Sequence, residues 1–134
     1  MQISHAATGA AIGKFMPNPF LAFVAGVLIH FVIDKIPHYW PATQKGKKYL
    51  VIIDHSITYL IFALMLIFKI GTPNIWAGIA GSLMVDIMII AIPWIFKGPV
   101  GRWHTNRQPH QQKASSLISD AIVTAIGILI VIYF

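Results

Sequence analysis

The chain is 134 residues long, 57% hydrophobic and only 10% charged, with a mean hydropathy of +0.72. That composition excludes an ordinary soluble domain and leaves room for one bundle without a second domain; the lack of cysteine excludes disulfides and thiolate metal sites. The net charge of +6 and pI near 9.9 suit basic loops lying on anionic lipid headgroups rather than a nucleic-acid partner.

The opening MQISHAATGAAIG has no basic leader, so it reads as mature protein rather than a signal peptide. Residues 3–15 predict a short apolar helix, too short to cross a bilayer alone, and therefore re-entrant, tilted or packed inside a bundle. After the MPNP turn, residues 20–36 give a first run of minimal spanning length, which Pro37 ends. Residues 38–48 are polar, with three lysines, and predict a loop. A second span is expected over 49–70, followed by a GTPN turn, and a third over 75–96, which Pro93 kinks or ends early. A basic loop covers 97–113. The last span runs over 114–134, with Ser115 or Ser116 as its cap.

The expected fold is thus an all-α membrane protein: a single integral-membrane domain over residues 1–134, with about four transmembrane helices and a short N-terminal half-span helix. If the two long loops share one side, that side carries eight Lys and Arg residues against two, Lys14 and Lys69, on the other. The positive-inside rule then places both loops in the cytoplasm. Tyr39, Trp40, Tyr49, Trp94 and Trp103 near the same ends suit an aromatic belt.

The acidic residues carry the functional signal. All four are aspartates, and Asp34, Asp54, Asp86 and Asp120 each fall in or beside an apolar run. An ionisable group at membrane depth is costly and marks a functional site by default. On the expected topology His30, Asp34, His38, Asp54, His55, Asp120, His104, His110 and, less peripherally, Asp86 gather in one half of the membrane. His5 joins them if its helix starts at the same face. His30 and Asp34 are four apart and project from one helix face. Asp54 and His55 point about 100° apart, so Asp54 is taken as the inward group. Asp120, one turn after Ser116, is either a member of the site or a hydrogen-bonding group of its own helix, and His110 reads as a solvated loop residue. Gly9 and Gly13 on the first helix, with Gly78, Gly81 and Ser82 before Asp86, allow backbones to approach closely.

These residues, taken together, resemble a known family. The segments ISHAATGAAIG, FLAFVAGVLIHFVIDKIPHYW, GSLMVDI and WHTNRQPH are similar, in order and over nearly the whole chain, to the YdjM-like predicted membrane-bound metal-dependent hydrolases, closest to short bacterial members. The resemblance implies that His30, Asp34 and His38 are metal ligands and adds His5, Asp86 and His104. The chain departs from the family where Val85 precedes Asp86 and Met88 occupies a position that can carry a further ligand; Asp54 is the residue available to fill that place.

The chemistry expected is that of a divalent metal, zinc first and manganese, magnesium or iron as alternatives, held by imidazoles and carboxylates with one position open. Such a centre acidifies water, and a pair of metals clamps both oxygens of a phosphodiester. Asp34 or Asp86 is the candidate bridge, and Asp54 and Asp86 are the candidate catalytic carboxylates. The reading is a metal-dependent hydrolase of the bacterial cell membrane. It would act on a lipid or amphiphilic ester or phosphodiester at the cytoplasmic leaflet, as a monomer or a homo-oligomer. The alternatives are a metal- or proton-coupled transporter and a non-catalytic scaffold. The outer halves offer only Asn18, Thr72 and Asn74, which favours a one-sided site over a pore.

Overall fold

A computed structural model describes residues 2–92, 98–99, 102, 110–111 and 113–134. Five helices make up the described chain: α1 (Gln2–Lys14), α2 (Pro19–Ile33), α3 (Gln44–Ile67), α4 (Pro73–Ala91) and α5 (Ala114–Tyr133). Two of them, α3 and Ser115–Tyr133 of α5, are long and apolar enough to cross a membrane. At 1.5 Å per residue, α2 reaches only ~22 Å, against ~30 Å for a bilayer core.

The helix ends follow from local chemistry. Asn18, Thr43 and Thr72 each accept a hydrogen bond from an N–H in the first turn of α2, α3 and α4, and prolines open α2 and α4. Thr43 starts α3 five residues earlier than expected, so Lys45, Lys47 and Lys48 lie on its first turns rather than in a loop. The α3–α4 turn places Lys69 at φ 52° and Gly71 at φ 107°, a left-handed exit that ends α3. Ile92 is extended at φ −115°, as the residue before a proline prefers, so α4 stops rather than kinks. The serine cap expected for α5 is absent. Lys113 is the N-cap without a side-chain bond, and the Ser116 hydroxyl donates back to the Lys113 carbonyl at 2.6 Å.

Helix α1 is the axis of the bundle and touches each of the other four helices. Eight of its thirteen residues are buried: Ser4, His5, Ala6, Ala7, Gly9, Ala10, Ala11 and Gly13. Small side chains make it thin enough to be surrounded, which resolves the short first helix in favour of packing inside. Helix α4 lies against both α1 and α2. A Cβ on Gly9 would meet the Gly78 carbonyl at 2.6 Å and the Ser82 side chain at 2.7 Å, and one on Gly26 would strike the same Gly78 carbonyl. The backbones of three helices meet at that point because none of them carries a side chain there.

The polarity pattern is inverted relative to a soluble protein. The buried set includes Ser4, His5, His30, Asp34, His38, Asp54, Thr58, Ser82, Ser116 and Asp120. Outward-facing side chains include Ile53, Ile57, Leu60, Leu64 and Ile67 on α3, and Ile118, Ile122, Ile126 and Leu129 on α5. In α3 the only buried residues are Asp54 and Thr58. A bundle with polar groups inside and large aliphatic groups outside is matched to a lipid solvent.

At one end of the bundle, His38–Tyr39 pairs in parallel with His110–Gln111, with His38 opposite His110. This short pairing sets residues 38–39 beside residues 110–111, one pair from each of the two expected loops.

Candidate metal centre

Two elements deliver the centre of the site. His30 sits one turn before the end of α2 and Asp34 is its C-cap, so the i, i+4 spacing brings His30 Nε2 to 3.1 Å from Asp34 Oδ2. Helix α1 supplies His5, whose Nε2 is 3.3 Å from Asp34 Oδ1. The two imidazoles stack, with ring centroids 4.3 Å apart and planes inclined by 24°. All three side chains are buried, and their nitrogen and oxygen donor atoms lie within 4.8 Å of one another.

The neighbours of His30 decide what the cluster can hold. Its Nδ1 lies 2.7 Å from the Ser82 carbonyl oxygen, which can only accept, so Nδ1 carries a proton. In the neutral ring Nε2 is therefore the lone-pair atom, and it faces Asp34 at 3.1 Å and Asp86 Oδ1 at 3.8 Å. A lone pair set against two carboxylates needs a positive charge, which is either a proton or a metal cation. Parallel stacking on His5 disfavours charging both rings, since two imidazolium ions at 4.3 Å repel. Donor atoms bound ~2.0–2.1 Å from a zinc ion stand roughly 3.4 Å apart in a tetrahedron. The 3.1 and 3.3 Å separations around Asp34 match that spacing. The donor set fits a small divalent cation.

The other expected residues take different places. Asp86 lies at the rim of the cluster, and its side chain is one-third exposed. His38 is next to the cluster, its ring 5.7 Å from that of His5, and its Nδ1 is 2.6 Å from Asp120 Oδ1. His55 bonds the Val51 carbonyl of its own helix at 2.9 Å, on the partly exposed side of α3. His104 lies outside the described residues, and His110 is placed by its backbone alone, opposite His38.

Asp54 requires a correction. Expected as a general base, it instead caps α1: Oδ2 accepts from the Gln2 N–H at 2.6 Å and Oδ1 from the Ile3 N–H at 3.3 Å. The first N–H groups of any helix lack partners within it. Gln2 and Ile3 at the half-buried start of α1 are served by a buried carboxylate from α3 through charge-assisted bonds.

Two contributors are only partly legible in the sequence, which marks Ser82 for packing and leaves Asp120 as either a site member or a hydrogen-bonding group of its own helix. Ser82 was read as a packing residue, yet its carbonyl orients His30 while its hydroxyl donates to the His5 carbonyl at 2.7 Å. A backbone contact leaves no residue-type signature. Asp120 did leave one: Ser116, Asp120 and Thr124 repeat every four residues on an otherwise apolar helix, a polar stripe that marks an inward face.

Comparison with protein-family models, curated proteins and solved structures finds no match.

Proposed function

We propose that this chain is a membrane-embedded, metal-dependent hydrolase of the YdjM-like kind, acting on a lipid or membrane-associated ester or phosphodiester. The observation that carries the reading is the buried His5–His30–Asp34 cluster, with a partly exposed carboxylate, Asp86, at its rim. A purely structural site would be closed by protein ligands, whereas a catalytic one keeps a position open. Asp86 is the open edge here. The inverted polarity supports four spans, with α2 and α4 crossing alongside α3 and α5. The basic residues of the two long loops support a cytoplasmic placement of the site.

His5, His30 and Asp34 would hold the cation, with His38 and His104 as further donors. The cation supplies a Lewis acid that polarises the scissile group and lowers the pKa of water to about 7. Ser82 holds the proton of His30 at Nδ1, which keeps Nε2 directed at the cluster. Asp86, close to His30 and reached from outside, is the group that takes the proton of the attacking water. The apolar outer surface lets a lipid substrate approach without leaving the bilayer.

Elemental analysis of the detergent-purified protein, followed by hydrolysis assays with phospholipids and model esters in Zn, Mn, Mg or Fe, tests the reading. About one bound transition metal per chain and a turnover that Asp86→Asn lowers by at least ~10²-fold are expected, the lower end for a general base. Bound metal with no hydrolysis, but with metal or proton flux in proteoliposomes, would replace the hydrolase by a transporter.

A further inference from the structure

Asp120 and His38 form a second buried pair beside the cluster, and the proposed hydrolysis gives Asp120 no role. His38 Nδ1 is 2.6 Å from Asp120 Oδ1, and both side chains are no more than 5% exposed. The second carboxylate oxygen is held as well, by the Tyr39 N–H at 3.4 Å. An ionised carboxylate only accepts, so the proton of the neutral His38 ring sits on Nδ1. Nε2 then carries the lone pair, on the edge of the ring away from Asp120. It is buried and has no hydrogen-bond partner among the described residues. A buried nitrogen lone pair left in this way carries a desolvation cost that no group among the described residues repays. His30 shows the same arrangement: its Nδ1 is tied to an acceptor, the Ser82 carbonyl, and its Nε2 is turned to the cluster. Two histidines within reach of one site thus have their tautomer set by an acceptor on the far side of the ring. That is how protein metal centres orient imidazole ligands and raise their basicity.

We propose that Asp120 is a positioning residue for the metal centre: it fixes His38 in the tautomer that offers Nε2 as an additional ligand to the His5–His30–Asp34 cluster. The proposal rests on the metal reading above and extends it to α5, the last helix, which would otherwise only pack on α1. His38 is held from two sides for this task, by Asp120 through its ring and by the pairing with His110 through its backbone. Its ring centroid is 5.7 Å from that of His5, outside the three-donor group, so joining the donors requires the ring to move toward His5.

The test is a cobalt(II) titration of the full-length protein in detergent, followed by the visible ligand-field spectrum. Its arms are wild type, His38→Ala, Asp120→Ala, Asp120→Asn, Asp120→Glu and the His38→Ala/Asp120→Ala double variant. Loss of an outer carboxylate partner typically weakens metal affinity by about 10–100-fold. Asp120→Ala is expected to show that loss and a shifted spectrum matching that of His38→Ala, with Asp120→Glu recovering part of both. In the His38→Ala background the Asp120 substitution should cause no further loss, because its effect passes through the ring. If Asp120→Ala does not fold, Asp120→Asn, which keeps the shape and removes the charge, carries the same expectation with a smaller loss. Wild-type affinity and spectrum in the Asp120 variants, or losses that simply add in the double variant, would overturn the proposal and leave the metal centre standing. No cobalt bound by the wild type would overturn the metal reading itself.

Discussion

Helices α3 and α5 are alike in sequence and different in use. Each is a long aliphatic helix with its large side chains outward, and each buries one aspartate four residues from a hydroxyl: Asp54 with Thr58, and Asp120 with Ser116. On α3 the carboxylate is taken up by backbone N–H groups at the start of α1. On α5 it is taken up by an imidazole next to the donor cluster. On the proposed reading, the partner, not the burial or the residue type, would separate a carboxylate that builds the fold from one that tunes a site. Both are expensive in a bilayer, so a buried acid in a membrane helix marks a requirement of some kind.

The largest effect that would break this comparison concerns α3. Asp54→Ala leaves the half-buried Gln2 and Ile3 N–H groups without their acceptor, at up to about 1–3 kcal/mol each. A strong drop in thermal stability in detergent is expected, with cobalt affinity in the surviving folded fraction within ~3-fold of wild type, since additivity holds for sites without shared partners. An affinity loss as large as that of an Asp120 variant would erase the distinction between the two helices.

Next in size is the metal-linked stability. A ligand that binds only the folded state stabilises it by RT ln(1 + [L]/Kd), about 2.7 kcal/mol at 100 times Kd. Added zinc at that level should raise the melting temperature of wild type and of Asp54→Asn alike, while an Asp120→Ala protein at the same concentration, its affinity weakened about 10–100-fold, gains about half of the increment or less. Equal increments in all three would show that Asp120 has no part in metal binding.

The smallest expected effects are at the hydroxyls. Thr58 donates to the Asp54 carbonyl at 2.7 Å and Ser116 to the Lys113 carbonyl at 2.6 Å, both local helix bonds. Thr58→Val and Ser116→Ala should each cost about 1 kcal/mol or less and leave zinc-dependent melting unchanged. A zinc effect from Ser116→Ala alone would show that α5 reaches the centre through more than its aspartate.

Much of this arrangement was legible before any fold was known. The i, i+4 spacing of His30 and Asp34 set their shared face, the clustering of His and Asp toward one end pointed to the group of His5, His30 and Asp34 that could hold a metal ion, and the glycines marked the close approach of α1, α2 and α4. Asp54 was misread because an inward carboxylate looks the same in sequence whether it meets a substrate or a helix end. Its partners lie some fifty residues away and are backbone groups, which any residue could provide. The role of Ser82 is hidden for the same reason, whereas Thr124, one turn beyond the Ser116–Asp120 pair, completes a polar stripe that marks the inward face.

The position of α1 has a consequence for how the molecule comes into being. This helix is made before the four that enclose it, is too short to remain across a bilayer by itself, and takes its cap from α3. Its full set of neighbours therefore exists only once α5 has been made. His5 travels with it, so the donor cluster is complete only when α1 lies against the end of α2. A chain cut short before α5 would leave that helix without its last neighbour and is expected to be cleared by membrane proteolysis before any metal is bound.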